Sequence, residues 1–277
     1  MGTATGARTP APICVSTYGA LDTGTNARVC FTPPSHSTPP SKLHKKSALS
    51  RVPGLTPEAG DTAIHDALAK AIGLLQQRQK DLDTWDEDTQ ESFLTWFGTD
   101  EPKARELVRK RIVKAITKLS RLTVKNFIPD RPPKRAGKTP QQYQDALSEY
   151  NSEFAYVNPD KRGGKFEMIV HLGPEFSAAD GTTRAGTMIH EVSHFYSVGG
   201  TDDVKSSFLG MQVDKKGQKT VTMYGESRAE RLSMQSEKNA LNNADNFEFF
   251  IERQDPRDNF DNEGLGDFPE GSGPRGG

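Results

Sequence analysis

Gly186-Thr-Met-Ile-His-Glu-Val-Ser-His-Phe195 is the stretch on which the reading of this chain turns. It holds His190, Glu191 and His194 as H-E-x-x-H, and with them two of the chain's six histidines. On a helix, residues four apart stand one above the other on the same face. Two imidazoles so placed reach one Zn²⁺, each at about 2.0–2.1 Å. Glu191, next to the first imidazole, turns toward the zinc-bound water. A carboxylate there takes the water's proton, whose pKa the metal lowers to about 7. Met188, Ile189 and Val192 are apolar, which fits a buried helix with the metal on its cleft side. The pentapeptide alone carries a false-positive risk, since a plain helix with two half-exposed histidines reads the same way. The third ligand decides, because a catalytic zinc takes three from the protein and leaves one position open.

Three candidates compete for that place. A histidine six residues after His194 would make a metzincin, but that position is Gly200. A glutamate on a later helix would make a gluzincin, and Glu226 and Glu230 are available. The third is Asp203, nine residues past His194, in Gly200-Thr-Asp-Asp203. Gly199-Gly200 permits a sharp reversal, since glycine tolerates positive φ. Asp202 would point away in an extended segment, where neighbours alternate faces.

Composition bounds the rest. The chain has 277 residues, 33% of them apolar, and a mean hydropathy of −0.70. No stretch approaches the roughly 18 apolar residues of a membrane helix, so no membrane span is expected. Lys and Arg number 36 against 37 Asp and Glu, so the basic excess of a nucleic-acid coat is missing. Cys14 and Cys30 are the two cysteines, both near the N-terminus, which excludes a cysteine zinc site in the body.

Residues 1–55 are rich in Pro, Ser and Thr and read as a disordered leader, and 255–277 as a disordered, acidic, Gly-rich tail. One domain is expected over 56–254. Thr56-Pro57 opens a helix with Ile64, Leu68, Ile72 and Leu75 at helical spacing. A second runs from Asp86 to a stop at Gly98. A third follows Asp100 with Leu107, Val108, Ile112, Ile116 and Leu119 on one face and Arg105, Arg109, Lys110, Lys114 and Lys118 on the other. Residues 129–140 read as a basic, Pro-rich loop. Phe154–Val157 and Phe166–Leu172 read as strands, and helices are expected at about 183–196, 226–241 and 244–253. Helices, a small sheet, then helices again is an α+β order.

These residues resemble a known family. H-E-V-S-H, G-T-D-D with its last Asp nine residues on, Tyr224-Gly225, and Asn243-Ala-Asp-Asn-Phe-Glu-Phe-Phe250 are similar to the aspzincins (M35), the deuterolysin and peptidyl-Lys metalloendopeptidase family. Trp96-Phe-Gly98, Phe154–Val157 and the strand toward Phe176 extend the likeness to about residues 60–254. The resemblance implies a zincin-like single domain, mostly helical, with a small sheet and the HExxH helix. It implies zinc, one per chain, held by His190, His194 and Asp203. Glu191 would be the general base, and Tyr224 would donate its O–H to the oxyanion. In the Lys-specific members, acids at this place line the pocket for the lysine after the scissile bond. Asp245 and Glu248 are the matching residues, and a helix cap and a solvated side chain are their plainer roles. Two departures stand out. Residues 204–223 separate Asp203 from Tyr224 where the family motif has two residues, and a hairpin with Lys215-Lys216-Gly217 near its turn is expected there. The body also lacks the disulfides of secreted members, which suits a reducing compartment or a bacterial relative that folds before export.

The function expected is a zinc endopeptidase acting on protein or peptide, with lysine preferred after the cleaved bond. Two other classes are kept: a non-catalytic binding protein using the basic helix, and a metal-dependent cell-wall amidase. Steep salt dependence without metal-dependent cleavage would mark the former, and substrate profiling the latter. The first residues lack a signal-peptide core. Export by a signal-peptide-independent route, as a bacterial effector or toxin with a neutralising or secretion-apparatus partner, is therefore expected, with the cytoplasm as the alternative. Nucleic acid is an unlikely partner on charge grounds.

Overall fold

The computed structural model describes residues 50–158, 169–206 and 221–252, together with strands at 13–16 and 28–31. The chain divides into two units, Met1–Ser47 and Ala48–Gly277. In the first, β1 (Ile13–Ser16) pairs antiparallel with β2 (Arg28–Phe31), and Cys14 is the register partner of Cys30. Composition had pointed to a structureless leader. The strands form on two short runs, ICVS and RVCF, whose β-branched and aromatic residues favour extended backbone. The acidic tail at 255–277 lies outside the described residues.

The second unit begins earlier than the helix signal at Thr56, because Val52 is fully buried in its core. α1 (Pro57–Thr84) starts where Thr56 accepts from the Ala59 amide and Pro57 takes the first turn. α2 (Glu87–Phe97) is capped by Asp86 and ends at Gly98, whose φ of +68° only glycine adopts readily. A side chain at Gly98 would also collide with the backbone of Ser233. α3 (Pro102–Leu119) buries Ala104, Val108, Arg111, Ile112, Ala115 and Leu119. Its inward stripe thus differs from the expected one. Leu107 is 45% exposed and Arg111 is inside. The basic face is largely engaged within the fold. Arg105 lies over the Trp85 ring at 4.5 Å, Arg109 meets Asp83 at 2.9 Å, and Lys110 meets Glu106 at 3.3 Å. Such a face offers a polyanion less than its sequence suggests.

A three-stranded sheet follows. β3 (Phe127–Pro129) and β4 (Ala155–Val157) flank β5 (Val170–Leu172), parallel on the β3 side and antiparallel on the β4 side. The expected strand 166–172 is described only from residue 169. Two elements had no sequence signal. β3 runs into the start of the expected loop at 129–140, and α4 (Pro140–Asn151) buries none of its residues. A capping box between Thr139 and Gln142 starts it instead.

After the short α5 (Glu175–Ala178) comes α6 (Gly181–His194), the helix of the HExxH motif. β6 (Lys205–Ser206) and β7 (Val221–Thr222) pair antiparallel, forming the stem of a hairpin whose connecting residues, including Lys215-Lys216-Gly217, lie outside the described set. The helix expected over 226–241 is broken at Ser236 into α7 (Glu226–Gln235) and α8 (Glu237–Asn242). Ser236 takes an extended conformation and caps α8 by accepting from Asn239. α9 (Ala244–Glu252) completes the unit. α6 packs against α1 on one side and α9 on another. The core joins Ile64, Leu75, Ile112 and Ile189 to an aromatic group in which the Phe93 ring lies 4.8 Å from that of Phe97 and 5.3 Å from that of Phe250. The architecture is α+β, mostly helical with a small mixed sheet. No helix among the described residues is long and apolar enough to cross a membrane.

Candidate metal centre and catalytic site

α6 is built to hold its polar residues still. Asp180 accepts from the Thr182 and Thr183 amides at its N-terminus, at 2.6 and 2.9 Å. Ala185, Met188, Ile189 and Val192 are buried, locking the helix into the core. Gly186 faces α9 so closely that a Cβ would lie 2.6 Å from Glu248 Oε1 and 2.7 Å from Glu252 Oε1. This glycine lets α9 bring its acids up to the HExxH helix. The helix ends at His194. The Phe195 carbonyl then accepts from Val198, Gly199 and Gly200 at 2.8–3.1 Å, and Gly200, at φ +60°, reverses the chain.

The reversal carries Asp203 to the histidines. His190 Nε2 and His194 Nε2 lie 3.2 and 3.4 Å from the same oxygen, Asp203 Oδ1. Each ring is held by its other nitrogen. His194 Nδ1 donates to the Thr201 carbonyl at 2.8 Å. His190 Nδ1 faces Asp245 Oδ1 at 2.9 Å and Glu248 Oε2 at 3.0 Å. Both Nε2 lone pairs are thus turned to a common point beside a carboxylate, the usual outer-partner arrangement around metal-binding imidazoles. Two imidazole nitrogens and one carboxylate oxygen at one point are a donor set that suits zinc. The electrostatics agree. Burial opposes a positive charge on His190, yet Asp203, Asp245 and Glu248 outweigh it and raise its pKa well above the usual value. A field that strong favours a dication in the proton's place. Burial likewise pushes Asp203 up, and the two imidazoles overcome it and hold its carboxyl well below the ordinary range.

Glu191 is 5% exposed, and that burial raises its pKa against the pull of His190 and His194. Tyr224 reaches the site across the intervening hairpin. It is half exposed, its ring centroid is 6.4 Å from that of His190, and its hydroxyl bonds to Asp203. Burial first, and Asp203 second, keep the phenol protonated far into the alkaline range. Among the described residues, the clusters able to hold a metal are His190–His194–Asp203 and His190–Asp245–Glu248. Glu226 and Glu230 belong to neither. Asp202 bonds outward to the Asn242 side chain. Asp245 is buried and accepts from the Gly225 amide as well as facing His190, so it is more than a helix cap. Glu248, 15% exposed, is not a solvated side chain.

Sequence reasoning missed the residues behind these. Ser193 donates to the His190 carbonyl at 2.7 Å and pairs with Thr201. Asn246, fully buried, donates to the Trp96 carbonyl at 2.6 Å and the Ala229 carbonyl at 2.8 Å, tying α2 and α7 to α9. Arg111 donates to the Leu241 carbonyl at 2.8 Å and lies against Gly199, where a side chain would collide with it. Burial pushes its pKa down to about 10. In the sequence it is one more basic residue on a basic helix.

Glu153, just before β4, is pushed up to about 7 by burial, then by Asp130, Glu191 and Glu149. A carboxyl whose folded pKa lies above its unfolded one stabilises the fold fully below the unfolded value and loses that contribution as pH rises toward 7. Glu153→Gln should therefore unfold at a higher temperature than the parent at pH 8, and at the same temperature at pH 4. Thermal scans at both pH values check this, and equal shifts at both would remove Glu153's ionisation as the cause.

The Aspzincin_M35 family model, described as lysine-specific metallo-endopeptidase, matches residues 83–216. That range includes His190, Glu191, His194 and Asp203 and stops short of Tyr224, Asp245 and Glu248. An extracellular protease of Aeromonas hydrophila is 40% identical over 104 residues, 36% of this chain, but the chain spans only 23% of that protein. A peptidyl-Lys metalloendopeptidase of Pleurotus ostreatus is 27% identical over 163 residues, 58% of this chain and 72% of its own length. A solved zinc peptidase from Grifola frondosa aligns with a TM-score of 0.48 and 24% identity over 70% of this chain and 94% of its own. The segment 83–216, which carries the HExxH helix and Asp203, is thus similar to the aspzincin (M35) family.

Proposed function

We propose that this chain is a zinc-dependent endopeptidase of the aspzincin type. The observation that carries the reading is the convergence of His190 Nε2, His194 Nε2 and Asp203 Oδ1, with both Nδ1 atoms engaged elsewhere. His190, His194 and Asp203 would hold the zinc, which would supply Lewis acidity toward a peptide carbonyl and water. The chain's own residues do the rest. Glu191, buried beside the histidines, accepts the proton of the attacking water and returns it to the leaving amine. Its raised pKa suits both halves of that transfer. Tyr224, kept protonated, donates its O–H to the oxygen on which negative charge develops. Asp245 and Glu248 orient His190. The test is metal analysis with cleavage of an unfolded protein, with and without chelator. About one zinc per chain and chelator-sensitive cleavage are expected. Full cleavage by metal-free protein would sink the reading.

The finer proposal is preference for lysine after the cleaved bond. Its support is the acidic pair Asp245 and Glu248 beside His190 and the name peptidyl-Lys metalloendopeptidase borne by relatives from three fungi. Lysine would bury its four-carbon stem and present its ammonium to the acids, while the wider planar fork of arginine fits a narrow pocket less well. New N-termini from a digest should be enriched in Lys, and Glu248→Ala should reduce that bias. No Lys bias, or a bias to apolar residues, would leave the two acids as partners of His190 alone. Residues 1–55 and 255–277 are proposed to flank a catalytic body over 56–254. Action outside the producing cell is proposed too, supported by the Aeromonas hydrophila relative's name.

A further inference from the structure

We infer that the Asn243 side chain is the positioning group that keeps Asp203 and Tyr224 side by side across the excursion 204–223. The roles of those two residues rest on the function proposed above; the clamp itself does not. Asn243 is 1% exposed, at the head of α9. Its Oδ1 accepts from the Val204 amide at 3.0 Å, and Val204 follows Asp203 directly. Its Nδ2 donates to the Met223 carbonyl at 3.5 Å, and Met223 directly precedes Tyr224. The same Nδ2 donates to Asn246 Oδ1 at 2.8 Å, and Asn246 is anchored in turn to α2 and α7.

One carboxamide therefore grips both ends of the excursion and ties them to the core. The surrounding bonds run the same way. The Met223 amide donates to the Val204 carbonyl at 2.9 Å, closing the stem one step outside the Lys205–Thr222 pair. The Asp202 amide donates to the Asn242 carbonyl at 2.9 Å, and the Ala244 amide to the Asp202 carbonyl at 3.1 Å. The Gly225 amide donates to Asp245. Among the described residues, the segments that bring Asp203 and Tyr224 to the histidines are bonded to 242–245. A buried side-chain amide with all three of its roles filled is costly to replace, because its partners are left unpaired.

The inference predicts that residues 207–220 can be removed without loss of the site. The last described pair, Ser206 with Val221, is where a two-residue Asn-Gly turn can close an antiparallel ladder. The experiment compares four proteins: the parent, a chain with 207–220 replaced by Asn-Gly, Asn243→Ala, and Asn243→Asp. The shortened chain should keep parental zinc affinity and kcat. Asn243→Ala should weaken zinc, measured against a chelating dye, by about 10-fold or more, the scale of lost outer partners of metal ligands. Its kcat should fall more than its KM rises. Asn243→Asp keeps an acceptor for Val204 but loses the donor to both the Met223 carbonyl and Asn246 Oδ1, so it should lose kcat more than zinc affinity. Hydrogen exchange at the Val204 amide reads the clamp without metal or activity. It should speed up in Asn243→Ala and stay slow in the shortened chain. The inference is overturned if the shortened chain loses zinc while Asn243→Ala keeps it, or if Asn243→Ala lowers only the unfolding temperature. A parent that neither binds zinc nor cleaves overturns the proposed function instead, and the exchange measurement still decides the clamp.

Discussion

Glu191→Gln is expected to reduce peptide hydrolysis by about a hundred- to ten-thousand-fold, the usual worth of a positioned general base, with zinc still bound. The argument is one of shape against charge. An amide fills the space of the carboxylate but cannot accept the water's proton or hand it to the leaving amine. His190, His194 and Asp203 are untouched, so the three residues proposed to hold the metal stay. Glu191 is nearly fully buried, and that burial disfavours its charge. Replacing it by a neutral group removes that strain, and the variant should unfold no lower than the parent. Zinc content, kcat and unfolding temperature measured on one preparation check all three expectations. If zinc-loaded Glu191→Gln cleaves at the parent's rate, the proton goes elsewhere and the proposed mechanism falls.

The parts of the fold legible in the sequence were those in which local chemistry and burial agree. Thr56-Pro57, Asp86 and Gly98 set helix ends through backbone hydrogen bonds and a positive φ, and these depend on residues at the ends alone. α4 escaped because it packs no apolar stripe, and hydrophobic period is the main signal a helix gives. β3 escaped because three residues beside a Pro-rich run carry too little pattern. Arg111 defeated the period itself. A guanidinium took an inward position on α3 while Leu107 faced out, a choice made by the Leu241 carbonyl and Gly199 from distant parts of the chain.

The site divides along the same line. His190 and His194 share a helical face by spacing alone, and Gly200 carries the positive φ that its type allows. Nothing local says that Tyr224 returns to Asp203 after residues 204–223, or that His190 leans on Asp245 and Glu248. Those relations are made by the long-range anchoring of 242–246. Resemblance to a family could suggest them, whereas spacing could not.

Asp203→Ala is expected to weaken zinc binding by more than the roughly 10–100-fold that loss of an outer partner costs, because the proposed third ligand itself is removed. Asp203 Oδ1 is the atom on which both Nε2 atoms converge. Without it two neutral nitrogens remain, with no carboxylate at the same point to balance the dication. Asp245 and Glu248 cannot replace it, since they sit at the other nitrogen of His190. Tyr224 also loses the partner of its hydroxyl, so activity should fall further than zinc occupancy alone explains when excess zinc is supplied. Glu230→Ala is the control. Glu230 lies on α7 outside both ligand clusters, and burial is the only influence on its pKa. Its variant should hold zinc like the parent. Competition with a chelating dye compares the three proteins directly. Parental zinc affinity in Asp203→Ala with loss in Glu230→Ala would move the third ligand to α7 and the chain to a glutamate-type centre.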